Sequence, residues 1–252
     1  MKKLSLGLLW LCSAILPVKG YSEESFALSV VVNSPGTRPH LYFNEVEKKY
    51  DGVIPDLLRY VQENSSVTID FVDSHRNRNE YFVATGKFDM FYSSTDWVKQ
   101  PEAFISTLPI FQHISYMYSL EPFPEGFELN LDTKANVCAR RGFIYPSLEP
   151  LFKRGNLVRI DSNSHHAMLK MLSLGRCQMV EMNAKNARAM FQDEPFKDQV
   201  FYQLDKPTSK VPASFIMNSN LEAERDILNK FILEFKKKGL YEKSLVKHLG
   251  AG

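Results

Sequence analysis

The chain has 252 residues, 44% hydrophobic, 24% charged and 12% aromatic, the composition of a globular protein of one large domain or two lobes. Its 31 basic and 29 acidic residues give a net charge of +2 with no concentrated basic stripe, which excludes a nucleic-acid partner. Beyond the first twenty residues, no segment approaches the roughly 20 apolar residues of a membrane span.

The opening, "MKKLSLGLLWLCSAILPVKG", has two lysines, an apolar run from Leu4 to Leu16 and a small residue, Gly20. This is the pattern of a secretory signal peptide over 1–20, too short for a membrane anchor, with cleavage expected before Tyr21. Trp10 and Leu11 are too bulky for Cys12 to be a lipid-attachment site. Loss of Lys2, Lys3 and Lys19 leaves 28 basic against 29 acidic residues, so the exported chain carries −1. The expected location is the periplasm.

Strand patterns follow at 27–32, 68–72, 88–92, 115–120, 136–139, 158–160, 178–182 and 215–217. After the first strand, "FALSVVV", comes a long polar loop, and then "YDGVIPDLLRYV". Asp51-Gly52 is a turn dipeptide, and Pro55 suits a first helical position. Ile54, Leu57, Leu58 and Val61 repeat on one helical face, predicting a helix over 55–63. Further helical patterns lie near 77–85, at 165–174 and at 184–191. "SHRNRN" at 74–79 begins one of them and is read as a solvated rim. Pro122, Pro124 and Gly126 punctuate the middle, and the strand–helix rhythm restarts near Asn136. The last long helix buries Leu228, Phe231, Ile232 and Phe235 and ends in "KKKG", with lysines at the negative helix end and Gly239 as cap. The alternation predicts two α/β lobes of parallel sheet flanked by helices, with a return crossing near 211–217.

Five stretches in order resemble family 3 of the bacterial extracellular solute-binding proteins, the polar amino-acid receptor-like members of the type II periplasmic binding protein fold. They are the Tyr50, Gly52, Asp56, Leu57 turn and helix, "ATGKFDMFYSS", "RGFIYPSLEPLF", "MLSLGRCQMVEMN" and the closing Gly239, Tyr241, Leu245 helix pair. The resemblance covers essentially the whole exported chain. It implies a two-lobed α/β fold joined by two hinge strands, with lobe 1 at 21–118 and 216–252 and lobe 2 at 119–215. It also implies a monomer that closes on an amino-acid-like solute or other small anion, without cofactor or metal. The solute would pass to a membrane permease of an ABC transporter or to a sensor.

Family members that bind α-amino acids clamp the carboxylate with a loop arginine, whose planar fork matches two carboxylate oxygens. The corresponding loop here, "SSTDWVKQPEAF", has Gln100 or Ala103 at that place, with Lys99 the nearest cation. The family's acid for the ligand ammonium aligns with Asn183, two residues after Glu181. Arg38, in the polar loop, and Arg141, beside Arg140 at the glycine loop of lobe 2, are the expected substitutes. Tyr42, Trp97 and Tyr145 are expected to supply flat walls, and Ser93, Ser94 and Thr95 hydroxyls and N–H groups for an anion. The His165-His166 pair follows "DSNS" and is read as a helix start rather than a metal site.

No G-x-S-x-G, H-E-x-x-H, Walker or Rossmann motif is present, so no enzyme is expected. The alternative is a periplasmic enzyme on the same fold, dehydratase-like or the regulatory lobe of a murein-cleaving protein, with Asp96 or Glu181 poised in the cleft. Cys138 and Cys177 are left as an even pair in an oxidising compartment, and the resemblance places them on neighbouring strands, so a disulfide is expected.

Overall fold

In the computed structural model, residues 25–250 are described; the expected leader at 1–20 and its cleavage site lie outside them. Strand β1 (Phe26–Asn33) starts a meander of three short strands, β2 (Gly36–Thr37), β3 (Leu41–Asn44) and β4 (Lys49–Asp51), and α1 (Val53–Glu63) follows. Next come β5 (Val67–Ser74), α2 (Arg76–Ala84), β6 (Met90–Ser93), β7 (Phe104–Ser106) and β8 (Phe111–Ser119). The second half comprises β9 (Ala135–Arg140), α3 (Glu149–Lys153), β10 (Leu157–Ser162), α4 (His165–Ser173), β11 (Met179–Asn183), α5 (Ala184–Phe191) and β12 (Tyr202–Gln203). Strand β13 (Ser209–Asn218) returns the chain, and α6 (Glu222–Lys237) and α7 (Leu240–Leu249) close it.

The main strand order is β10-β9-β11-β8-β13-β6-β1-β5. Strand β1 runs parallel to β5 and β6, and β9 parallel to β10 and β11. The two parallel halves meet at two antiparallel strands. Residues 209–213 of β13 pair with 111–115 of β8, while 214–217 of the same strand pair with β6. Hydrogen bonding therefore runs unbroken from one half to the other. Among the described residues, the chain crosses between halves along β8 and β13. Helices cover both sheet faces in each half, which is why β1 and β11 read as nearly continuous apolar runs.

The first half is filled by Leu28, Val30 and Val32 against Ile54, Leu57, Leu58, Leu228, Phe231 and Phe235, the apolar faces of α1 and α6. On the other face Val83 of α2 packs with Val31, Phe91 and Ile216 of the sheet. In the second half Met168, Leu169, Leu172, Val180 and Met190 surround a disulfide between Cys138 and Cys177, whose Cα atoms lie 5.7 Å apart.

Two expectations are corrected. The polar loop after β1 is instead a three-stranded meander; strands of two to four residues interrupted by Pro35 and Pro39 are too short to show alternation. Helix α1 starts at Val53, so Pro55 is its third residue, still among the first-turn positions whose N–H has no helical acceptor. The meander also explains what that segment is held out for. Carbonyls of Pro39 and His40 accept the N–H groups of Val53 and Ile54 at 3.0 and 2.9 Å, capping α1 with backbone. Gly52, at φ 121°, permits the approach, since a Cβ there would sit 2.6 Å from the His40 oxygen.

Candidate functional site

The carboxyl ends of β1, β6, β9 and β11 converge on a cavity of about 150 Å³. Ligands of open α/β sheets bind at such ends, because the loops there are free to vary while the strands hold them. One wall carries Thr37 and His40 of the meander, Arg76 and Asn79 of α2, Tyr92 and Ser93 of β6, and Trp97. The opposite wall carries Arg140 at the end of β9, Phe143 and Tyr145 of the following loop, His165 at the start of α4, and Glu181 and Asn183 of β11. His113 and Ser115 of the crossing strand β8 form the floor.

Of the residues expected from sequence, Ser93, Trp97, Tyr145 and Asn183 line this cavity. Arg38, Tyr42, Ser94, Thr95 and Arg141 do not. Arg38 Nη2 reaches Asp193 Oδ1 at 2.7 Å, beyond the end of α5. The Tyr42 hydroxyl lies 3.2 Å from His248 Nδ1, against α7. Ser94 caps a short helical turn, Thr95–Trp97, by accepting the Asp96 N–H, and Thr95 opens that turn. Arg140 is the last residue of β9 and is buried, while Arg141 opens the following turn and is exposed.

A guanidinium from α2 reaches the loop that has no arginine of its own. Arg76 is 8% exposed, donates from Nη2 to the Trp97 carbonyl at 2.8 Å, and pairs with Glu80 at 2.7 Å. The expectation that "SHRNRN" is a solvated rim is corrected here. Arg76, Asn79 and Val83 fall on one helical face at i, i+3, i+7, and that face is buried. The spacing was the available signal, masked by the exposed Asn77 and Arg78 between them.

Arg140 is 2% exposed. Its Nη1 donates to the Asn163 carbonyl, its guanidinium lies 5.2 Å from the Phe143 ring centre, and it makes no ion pair among the described residues. Burial lowers its pKa, yet a guanidinium keeps its charge in proteins. It is a retained positive charge facing a cavity with no anion of its own.

The imidazoles are the opposite case. His40 stacks on Phe111 at 4.2 Å, and burial holds its pKa well below the ordinary value. His113 packs edge-on to Trp97 at 4.6 Å, and burial, then Lys185, hold it at about 3. His165 begins α4 as expected, yet its Nδ1 lies 2.6 Å from Thr37 Oγ1 and burial, then Arg140, bring it to about 3. All three are neutral rings at neutral pH. Glu181 accepts from Thr208 Oγ1 at 3.0 Å, and burial pushes it up to about 7.

His40 Nδ1 and Nε2, His113 Nδ1, Asn79 Oδ1, the Tyr92 hydroxyl and Arg140 Nε are buried, line the cavity and have no partner within the protein. Asn186 lies beside His40, but its amide donates to the carbonyls of Thr37 and Arg38 at 3.3 and 2.6 Å. A buried polar atom without a partner costs about 1–3 kcal/mol, and several around one cavity mark where a polar molecule is received. The contacts of Thr37 and Arg38 with α4, α5 and Asp193 draw the meander over the cavity mouth.

Elsewhere, Asp51, Asp56 and His248 offer ligand atoms within 4.8 Å of one another. Asp56 already accepts from Arg59 at 2.6 Å, Ser244 at 2.7 Å and lies 2.9 Å from His248 Nε2, so the cluster ties α1 to α7.

No protein-family model matches the chain, and no curated protein does. Solved structures do. The candidate binding component of an ABC transporter from Wolinella succinogenes, complexed with lysine, aligns at TM-score 0.75 and 16% identity over 89% of this chain and 96% of its own. An arginine third transport system periplasmic binding protein from Legionella pneumophila aligns at 0.70 and 17% over 89% and 100%. The GluR0 ligand-binding core in complex with L-glutamate aligns at 0.70 and 17% over 90% and 99%. The chain has the two-lobed type II periplasmic binding protein fold.

Proposed function

We propose that the chain is a periplasmic solute-binding protein that closes on a small polar solute, amino-acid-like or another small anion. The solute is delivered to the permease of an ABC transporter or presented to a sensor. Lobe 1, 21–118 with 216–252, and lobe 2, 119–215, rotate about β8 and β13. The observation that carries this reading is Arg140, a buried guanidinium without an ion pair, among polar atoms that have no partner within the protein. Hinge closure around such a ligand is a familiar way for two domains to desolvate it. The likeness in fold to proteins complexed with lysine and L-glutamate supports a small-solute role.

A thermal-shift screen of amino acids, dicarboxylates, polyamines and small carboxylic acids tests it. A ligand at about 100 times Kd adds about 2.7 kcal/mol of stability, which is about 5–11 °C for a chain of this size. If nothing in the screen raises the melting temperature, the solute-binding reading fails.

A second reading rests on Glu181. A buried carboxyl with a pKa of about 7 beside a bound anion is placed to donate and accept protons, as a dehydratase-like enzyme on this fold requires. Recovery of any screen hit unchanged after prolonged incubation with the protein excludes it.

A further inference from the structure

The charges around the cavity do not suit an α-amino acid. A zwitterion brings a carboxylate and an ammonium, and each needs an opposite partner once water is excluded. For the carboxylate there is Arg140, while the Arg76 charge is already matched by Glu80. For the ammonium there is one acid, Glu181, since no other carboxylate lines the cavity. Glu181 sits in a protein environment that disfavours its charge. Ser115 and Tyr118 of β8, Thr208 before β13 and Tyr145 after β9 surround it without a cation in contact, and Arg140, His113, His40 and His165 lie around the same cavity. Trp97, Tyr92, Phe143, Ile144 and the rings of His40 and His113 offer flat or apolar faces, beside uncharged polar groups such as Thr37, Asn79, Ser93 and Asn183.

Resting on the solute-binding reading above, we infer that the cavity selects a small monoanion with a flat apolar body and no ammonium group. The ligand is an aromatic carboxylic acid rather than an α-amino acid, with its carboxylate on Arg140. Cationic amino acids are excluded most strongly, because their second positive charge would face neutral imidazoles and a guanidinium. The neutral Glu181 carboxyl can donate a hydrogen bond to a keto or hydroxyl oxygen of such an acid, and as it ionises it adds a like charge to the site.

Phenylpyruvate and L-phenylalanine share ring and carboxylate and differ at the amino-bearing carbon, so calorimetric titration of both, with phenylacetate, L-lysine and L-arginine, at pH 6 and pH 8 separates the cases. The expected result is binding of phenylpyruvate at least about tenfold tighter than L-phenylalanine at pH 6, since an unpaired buried charge costs more than the 1.4 kcal/mol of one decade. The preference should narrow at pH 8, and Glu181→Gln should remove that pH dependence. L-Phenylalanine, L-lysine or L-arginine binding as tightly as the aromatic acids, or tighter, overturns this inference and leaves the solute-binding reading standing. No binding of the aromatic acids, with a hit from another class in the wider screen, does the same. No binding of any compound in either panel overturns both.

Discussion

Replacing Arg140 by glutamine should separate binding from folding, because the two effects have opposite origins. In the folded protein the guanidinium is buried without an ion pair, and keeping such a charge from water costs several kcal/mol. That cost is offset by the bond to the Asn163 carbonyl, about 1.5–3 kcal/mol for a charged donor, and by the desolvated cation–π contact with Phe143, about 2 kcal/mol. The sum is near zero, so Arg140→Gln should leave unliganded stability within about 1 kcal/mol of the parent. Binding should behave otherwise. A desolvated charge pair truncated on one side typically costs about 2–5 kcal/mol, roughly 30-fold to several thousandfold in Kd. Urea denaturation gives the first quantity and calorimetric titration with the best screen hit gives the second. A variant that loses stability heavily while keeping affinity would show that Arg140 is a structural strut, and the assignment of the anion site would be wrong.

Other perturbations have distinct expected outcomes. Arg38→Ala removes an ion pair whose side chains are 34% and 46% exposed, worth about 0.2–1 kcal/mol, so affinity should fall by about fivefold at most; loss of all binding would put Arg38 on the ligand. Glu181 has its folded pKa raised to about 7 from 4.5, so its contribution to stability is fully present below about 4.5 and lost as pH rises through 7. Glu181→Gln should therefore gain on the parent between pH 5 and pH 8, by about 3 kcal/mol in order of magnitude, and equal differences at both pH values would contradict the burial argument. Opening the Cys138–Cys177 bridge frees a loop spanning 39 positions, about 4 kcal/mol by chain entropy, and a double serine variant that melts where the parent does would refute that. Gly52→Ala should cost about 2 kcal/mol or more, since its Cβ would meet the carbonyls that cap α1, and circular dichroism melts would reveal it.

Much of the architecture was legible because it is written in local periodicity. The apolar faces of α1 and α6 and the largely apolar runs of β1 and β11, broken by Ser29 and Glu181, identify helices and buried parallel strands without knowledge of their partners. The short meander was not legible, because its three strands are held by pairing and by capping α1 rather than by any pattern of their own. The site was legible in part. Ser93 and Asn183 end β6 and β11, and Trp97 and Tyr145 lie in the segments that follow β6 and β9, where sequence order alone places them near the cleft. Arg76 was hidden because a charged residue on a short polar helix resembles a solvated one until the packing of α2 is known. Arg140 and Arg141 could be told apart only by where β9 ends. His40, His113 and Glu181 acquire their character from burial, which depends on both halves of the fold at once.

The most direct test is a crystal structure of the protein with the tightest ligand from the screen. The account predicts that ligand in the cavity between α2 and the end of β9, its acidic group within hydrogen-bond distance of the Arg140 guanidinium and its body against Trp97 and Phe143. Ligand density on another surface, or in the cavity with Arg140 facing away from it, would contradict the account.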